Sequence, residues 1–148
     1  MSKRPKHIYA ALKIDKILAL DVGSKYIGAA LASEKSKMAY PYDVCKWDGK
    51  EELLLSFLNN IFNTESIIGI VIGYVPDQQN ERANKAIKDT ENVLARLTEV
   101  PITFIDEHVS TQEAENRMAM LVEDPRELRK VRKDAVAAQI ILERFFQS

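Results

Sequence analysis

The sequence predicts an α/β domain with one mixed central sheet: an N-terminal antiparallel hairpin, parallel strands after it, and flanking helices. Three observations lead there. Two short apolar runs, KILALDV (16–22) and YIGAALA (26–32), are separated by the turn signal that begins at Asp-Val-Gly. Stretches with apolar residues at helical spacing then alternate with apolar runs of strand length. One of those runs, IIGIVIG (67–73), is apolar throughout, the pattern of a strand covered on both faces of a parallel sheet.

Taken in order, Lys16–Val22 and 26–32 are the hairpin strands. Met38–Trp47, with Tyr40, Tyr42, Val44 and Trp47, is a third strand, and Pro41 assigns it to an edge or an irregular piece. After the Asp48-Gly49 turn, Leu53, Leu54, Phe57, Leu58, Ile61 and Phe62 predict a helix over about 50–63 whose apolar face packs on the sheet. A strand at 67–73 follows, then a polar loop with Pro76 and Asp77. Ala83, Ala86, Ile87, Val93, Leu94 and Leu97 mark a helix over about 79–98, and Pro101 opens the strand ITFID (102–106). Ser110-Thr-Gln-Glu113 is a capping box, so a helix should run from there to about Leu121. The chain breaks at Glu123-Asp-Pro125, and RELRKVRK (126–133) carries no clear pattern. Val136, Ala137, Ile140, Ile141 and Phe145 predict a last helix over about 133–146. The βαβ crossovers should be right-handed, and ligands in such sheets gather at the carboxyl ends of the strands.

At 148 residues, 46% hydrophobic and 29% charged, the chain fits a single domain at 16–148 preceded by a basic extension at 1–15. Cys45 has no partner for a disulfide, and with His7 and His108 it makes no Cys/His metal cage. A soluble, cytoplasmic protein is the expectation, since no window approaches the roughly 18–20 apolar residues of a membrane span. Net charge is only −1, yet it is segregated. Residues 1–16 and 126–133 each carry five bases against one acid, while 43–124 holds sixteen acids against seven bases. Such segregation suits gripping a polyanion at one surface and chelating cations at another, although both basic runs could equally be solvated ends.

Acids stand where apolar strands end: Asp21 after KILAL, and Asp106-Glu107 after ITFI; Asp134 opens the last helix. Singly, each has an ordinary explanation, as a turn residue, a helix charge partner or a cap. Jointly, three carboxylates on one patch would repel one another unless divalent cations neutralised them. Hard oxygen donors suit Mg²⁺ or Mn²⁺ rather than zinc, and two such ions can serve phosphodiester cleavage.

In order and spacing, LALDVGSKYIGAALA, IIGIVIGYVP, FIDEHVSTQEAENRM and KDAVAAQIIL resemble the blocks of the RuvX/YqgF family over about residues 16–146. The resemblance implies an RNase H-like fold in a cytoplasmic nuclease, described both as a Holliday junction resolvase and as the enzyme that processes the 5′ end of pre-16S rRNA. It gives Asp21, Glu107 and Asp134 as the catalytic and metal-binding acids, with Asp106 in reserve, and Mg²⁺ or Mn²⁺, as a pair of ions, as cofactor. Expected nucleic-acid contacts are Gly23, Ser24, Lys25, Gly28, His108, Arg129, Lys130, Arg132 and Lys133, the glycines letting backbone approach a phosphate. Two departures stand out: His108 replaces the usual Arg, and Gly73-Tyr-Val-Pro76-Asp-Gln-Gln-Asn80 has an added residue before the proline and no glycine in the loop.

The expected function is a metal-dependent endonuclease acting on an rRNA precursor or on branched DNA, with rRNA processing ranked first, as a monomer or a homodimer. Two readings compete. A nucleotide phosphotransferase, suggested by the Asp-x-Gly hairpin, ranks low because such proteins pair two domains around the nucleotide. A non-catalytic ribosome-assembly module is kept open by His108 and the altered loop.

Overall fold

β1 (Asp15–Val22), β2 (Tyr26–Ser33) and β3 (Ala39–Lys46) form an antiparallel meander. β4 (Ser66–Tyr74) and β5 (Ile102–Asp106) extend the sheet in parallel beyond β1, giving the order β3-β2-β1-β4-β5. The helices are α1 (Glu51–Thr64), α2 (Glu81–Leu97), α3 (Thr111–Leu121) and α4 (Lys133–Gln147). The structure is a computed structural model that describes residues 13–74, 80–106, 109, 111–121 and 132–148. Most of the basic extension, the 75–79 part of the altered loop, Ser110 of the capping box and 126–131 of the basic run lie outside the described residues. No helix among the described residues is long and apolar enough to cross a membrane.

Side-chain alternation splits the sheet into two apolar faces. Leu18 and Leu20 of β1, Ile27, Ala29 and Leu31 of β2, and Ile70 and Ile72 of β4 pack with Leu54, Leu58 and Ile61 of α1 and Val93 and Leu94 of α2. The intervening residues Ala19, Ala30, Ala32 and Val71 pack against Ala138, Ile141 and Leu142 of α4. On the α4 side the strand residues are mostly alanine, so the helix can lie close to the sheet. That face therefore sets how near the start of α4 comes to the strand ends.

Each element follows from local chemistry. β3 is an edge strand, as Pro41 predicts, and its pairing with β2 slips between Ala29 and Ala30, where Asp43 and Pro41 are the successive partners. Asn80 caps α2 by accepting a hydrogen bond from Ala83 N at 3.0 Å. α3 is tied to α4 by Arg117, which donates to both carboxylate oxygens of Glu143 at 2.8 Å, and by an ion pair between Arg144 and Glu113.

The β1–β2 turn is anchored from two directions. Gly23 N donates to Tyr26 O at 3.0 Å, and the indole Nε1 of buried Trp47 donates to Gly23 O at 2.8 Å. Trp47→Phe keeps most of the apolar volume and removes that donor from a turn adjoining Asp21. We expect a loss of about 1 kcal/mol, the usual net worth of one hydrogen bond, read as a lower urea midpoint with an unchanged slope.

Candidate active site

Asp21 is the second-last residue of β1, and alternation turns its side chain to the α4 side, in phase with Ala19. Glycines flank it on both neighbouring strands: Gly28 is its partner on β2 and Gly73 its partner on β4. The two glycines have a steric purpose. A β-carbon at Gly28 would overlap the Asp134 carbonyl and lie 2.7 Å from Ala135 N, and one at Gly73 would lie 2.5 Å from Ile141 Cδ1. The space that glycine leaves at 28 is thus filled by the first turn of α4, not by the phosphate expected from the sequence. Packing decides this, because the helix reaches the sheet first.

Through that approach Asp134, the second residue of α4, comes beside Asp21. Asp134 is not the helix cap: Arg132 holds the N-cap position without a side-chain cap hydrogen bond, and Asp134 is an acid in the first turn, partly buried. Burial, and after it the nearby Asp134 carboxylate, together raise the Asp21 carboxyl from its ordinary 3.8 to about 6. Among the described residues, neither carboxylate has a hydrogen-bond or ion-pair partner to offset this. Two hard oxygen donors of like charge, with no cation among the described residues to balance them, are chemically suited to a divalent ion, which would relieve both burdens.

Asp106 ends β5 on the other side of the sheet. Ile105 packs with the α4-side cluster, so Asp106 alternates to the face of Ile102, and it is exposed. Glu107 and His108 lie outside the described residues, as do Arg129 and Lys130. Among the described residues, no group of three or more His, Cys, Asp or Glu is placed to hold a metal.

Of the expected nucleic-acid contacts, Ser24 and Lys25 form the exposed tip of the hairpin turn, while Arg132 and Lys133 are exposed where α4 begins. A residue that sequence reasoning passed over joins them: the Tyr26 ring lies under both the Lys25 ammonium, 5.8 Å from its centroid, and the Arg132 guanidinium, at 5.3 Å. Its only sequence signal was an aromatic directly after Lys25. The arrangement sets a basic rim beside the acidic pair, bridging the hairpin to the start of α4.

The raised Asp21 carboxyl has a consequence for stability. Between about pH 4 and 6 the folded protein holds a proton that the unfolded chain has lost, so without divalent metal the stability of the wild type falls as pH rises through that window. Asp21→Asn removes the titration. In EDTA at pH 7 it should be more stable than wild type by about 2–3 kcal/mol, and the difference should shrink toward pH 4. Parallel urea-stability curves for the two proteins from pH 4 to 7 would refute the proximity argument.

Comparison with known proteins gives the family and the fold. The family model described as RuvX, Holliday junction resolvase, matches residues 15–148. A relative from Dictyoglomus thermophilum, named "Putative pre-16S rRNA nuclease", is 30% identical over 136 residues, covering 90% of this chain and 96% of its own. Like-named relatives from Dictyoglomus turgidum (35% identical; 90% and 94% covered) and Mycoplasma genitalium (31%; 89% and 96%) match nearly as fully. Among solved structures, Thermus thermophilus RuvC in complex with a Holliday junction substrate superposes with a TM-score of 0.59 at 11% identity, covering 89% of this chain and 94% of that one. The fowlpox virus Holliday junction resolvase follows at 0.53 and 13%, with 88% and 97% covered. At such identities the structural likeness is one of fold, and that fold is RNase H-like. With the family model spanning all but the first fourteen residues and relatives above 30% identity covering nine-tenths of the chain, the protein belongs to the RuvX family.

Proposed function

We propose that this protein is a metal-dependent endonuclease that hydrolyses phosphodiester bonds and processes the 5′ end of pre-16S rRNA in ribosome biogenesis. The observation that carries the reading is the meeting of Asp21 and Asp134, carboxylates more than a hundred residues apart in sequence, at the carboxyl end of the central strand with no cation among the described residues to balance them. Glu107 is assigned as the third acid in preference to Asp106. It is the residue after β5, and Asp106 belongs to the face opposite Asp21.

Asp21, Glu107 and Asp134 would together hold Mg²⁺ or Mn²⁺, taken here as a pair of ions. Held by these acids, the ions would supply Lewis-acid polarisation of the phosphodiester and charge neutralisation at the leaving oxygen. The chain's own part is positional. Gly28 and Gly73 let α4 bring Asp134 to Asp21, and partial burial of Asp21 keeps its charge available to a cation rather than to bulk water. Lys25, Arg132 and Lys133 contact the flanking phosphates without reading bases, with Gly23, Ser24, His108, Arg129 and Lys130 assigned as further contacts. Water adds at phosphorus, one P–O ester bond breaks, and the two strand ends leave as a phosphate monoester and a hydroxyl.

The names of the relatives favour RNA, and the description of the family model favours a second reading, cleavage of branched DNA. Cleavage of a labelled 5′-extended pre-16S rRNA fragment and of a four-way DNA junction, with Mg²⁺ or Mn²⁺, separates them. The rRNA fragment should be cut, and Asp21→Asn, Glu107→Gln and Asp134→Asn should each abolish cutting while RNA binding persists. Tight, salt-sensitive binding of either substrate without cleavage would replace the enzyme reading with that of an assembly module. An independent readout is thermal: Mg²⁺ or Mn²⁺ should raise the unfolding midpoint of the wild type and leave that of Asp21→Asn nearly unchanged.

A further inference from the structure

A cleft of about 470 Å³ lies on the α1/α2 side of the sheet, beyond the hairpin turn from the acidic pair. It is lined by Ser24 and Lys25 of the hairpin turn, by Arg82 and Lys85 from the first turns of α2, and by the buried Trp47 and Ala86. We propose that this cleft is a second nucleic-acid subsite, holding a backbone phosphate of the strand that leaves the catalytic carboxylates. The inference rests on the nuclease reading and extends it to residues outside both basic runs of the sequence.

Its charges favour an anion. Three cations, Lys25, Arg82 and Lys85, face two acids, Asp48 and Asp89. Lys85 Nζ donates to the Asp89 carboxylate at 2.6 Å, so that pair cancels and leaves Lys25 and Arg82 against Asp48, an excess of one positive charge. Arg82 has no ion pair among the described residues, and Lys85, one helical turn further along α2, lies on the same side of the helix. A planar guanidinium in an open cleft is well shaped for a phosphate.

The cleft is also continuous with the site already described. Lys25 is shared: it lines the cleft and lies over the Tyr26 ring that the Arg132 guanidinium also covers. Its backbone is fixed, because Lys25 O accepts from both Trp47 N at 3.0 Å and Asp48 N at 3.1 Å. Lys25 stands four positions after Asp21, so their Cα atoms are at most about 14 Å apart, the axial rise of roughly four phosphates along a duplex strand. A strand cut at the acidic pair can therefore cross the hairpin tip and enter the cleft, with Trp47 and the left-handed turn at Asp48 and Gly49 shaping its base.

The test is equilibrium binding of the labelled pre-16S rRNA fragment to the Arg82→Ala/Lys85→Ala variant, alongside cleavage kinetics with Mg²⁺. Both side chains are exposed on a helix surface, and a far-UV spectrum checks that α2 is intact. We expect Kd and KM to rise about tenfold with kcat unchanged, and the salt dependence of log Kd to lose between one and two phosphate contacts. A fragment trimmed to end two nucleotides from the cut site should bind wild type and variant alike. Unchanged affinity and salt slope on the full fragment, with cleavage intact, would overturn this subsite and leave the nuclease reading standing. Absence of any salt-sensitive binding by the wild type would overturn both.

Discussion

The first turn of α4 lies against β2 so closely that only glycine fits at position 28, and much of the functional architecture depends on that approach. It is made possible by alanines at 19, 30 and 32, which leave the sheet shallow on the α4 side. It places Asp134 beside Asp21, and it brings Arg132 over Tyr26. A larger side chain at 28 would push the helix start outward and separate the acids. Because packed interiors yield little, that displacement would spread along α4 rather than be absorbed locally.

The site sets stability against function. Two carboxylates share a partly buried location without a balancing cation among the described residues, and Asp21 carries the resulting strain as a carboxyl raised to about 6. The core on the opposite face of the sheet holds the arrangement regardless, through Leu18, Leu20, Leu54, Leu58 and Ile72, all fully buried. A folded frame that can tolerate such repulsion becomes a ready cation site, since an ion needs only to replace repulsion with attraction. The ion pairs between α3 and α4 stiffen the helix that supplies one of the two acids.

Charge on this protein is distributed to the same end. The acidic pair is bordered by Lys25, Arg132 and Lys133, so a polyanion can be held at the rim while the centre stays negative enough to need cations. This division reconciles a net charge of −1 with a nucleic-acid substrate. Tyr26 lets two cations sit close together by placing an aromatic face beneath both.

Much of this was legible in the sequence. The hairpin at Asp-Val-Gly, the edge strand at Pro41, the doubly covered strand at 67–73 and the helical faces of 50–63 and 133–146 depend on local periodicity, which a chain carries in its own residue order. The acids at strand ends were visible for the same reason, and motif spacing gave the family. What the sequence could not carry was which neighbour fills each space: that Gly28 makes room for a helix rather than a phosphate, that Tyr26 gathers Lys25 and Arg132, and that Arg82 lines one cleft with Lys25. Gly28 and Asp134, Tyr26 and Arg132, and Lys25 and Arg82 lie between about 50 and 110 residues apart, and only the packing of helices on a twisted sheet brings them together. Periodicity determines which face of an element is buried; the partner it meets there is decided by tertiary packing, because that depends on side-chain volumes contributed by other parts of the chain.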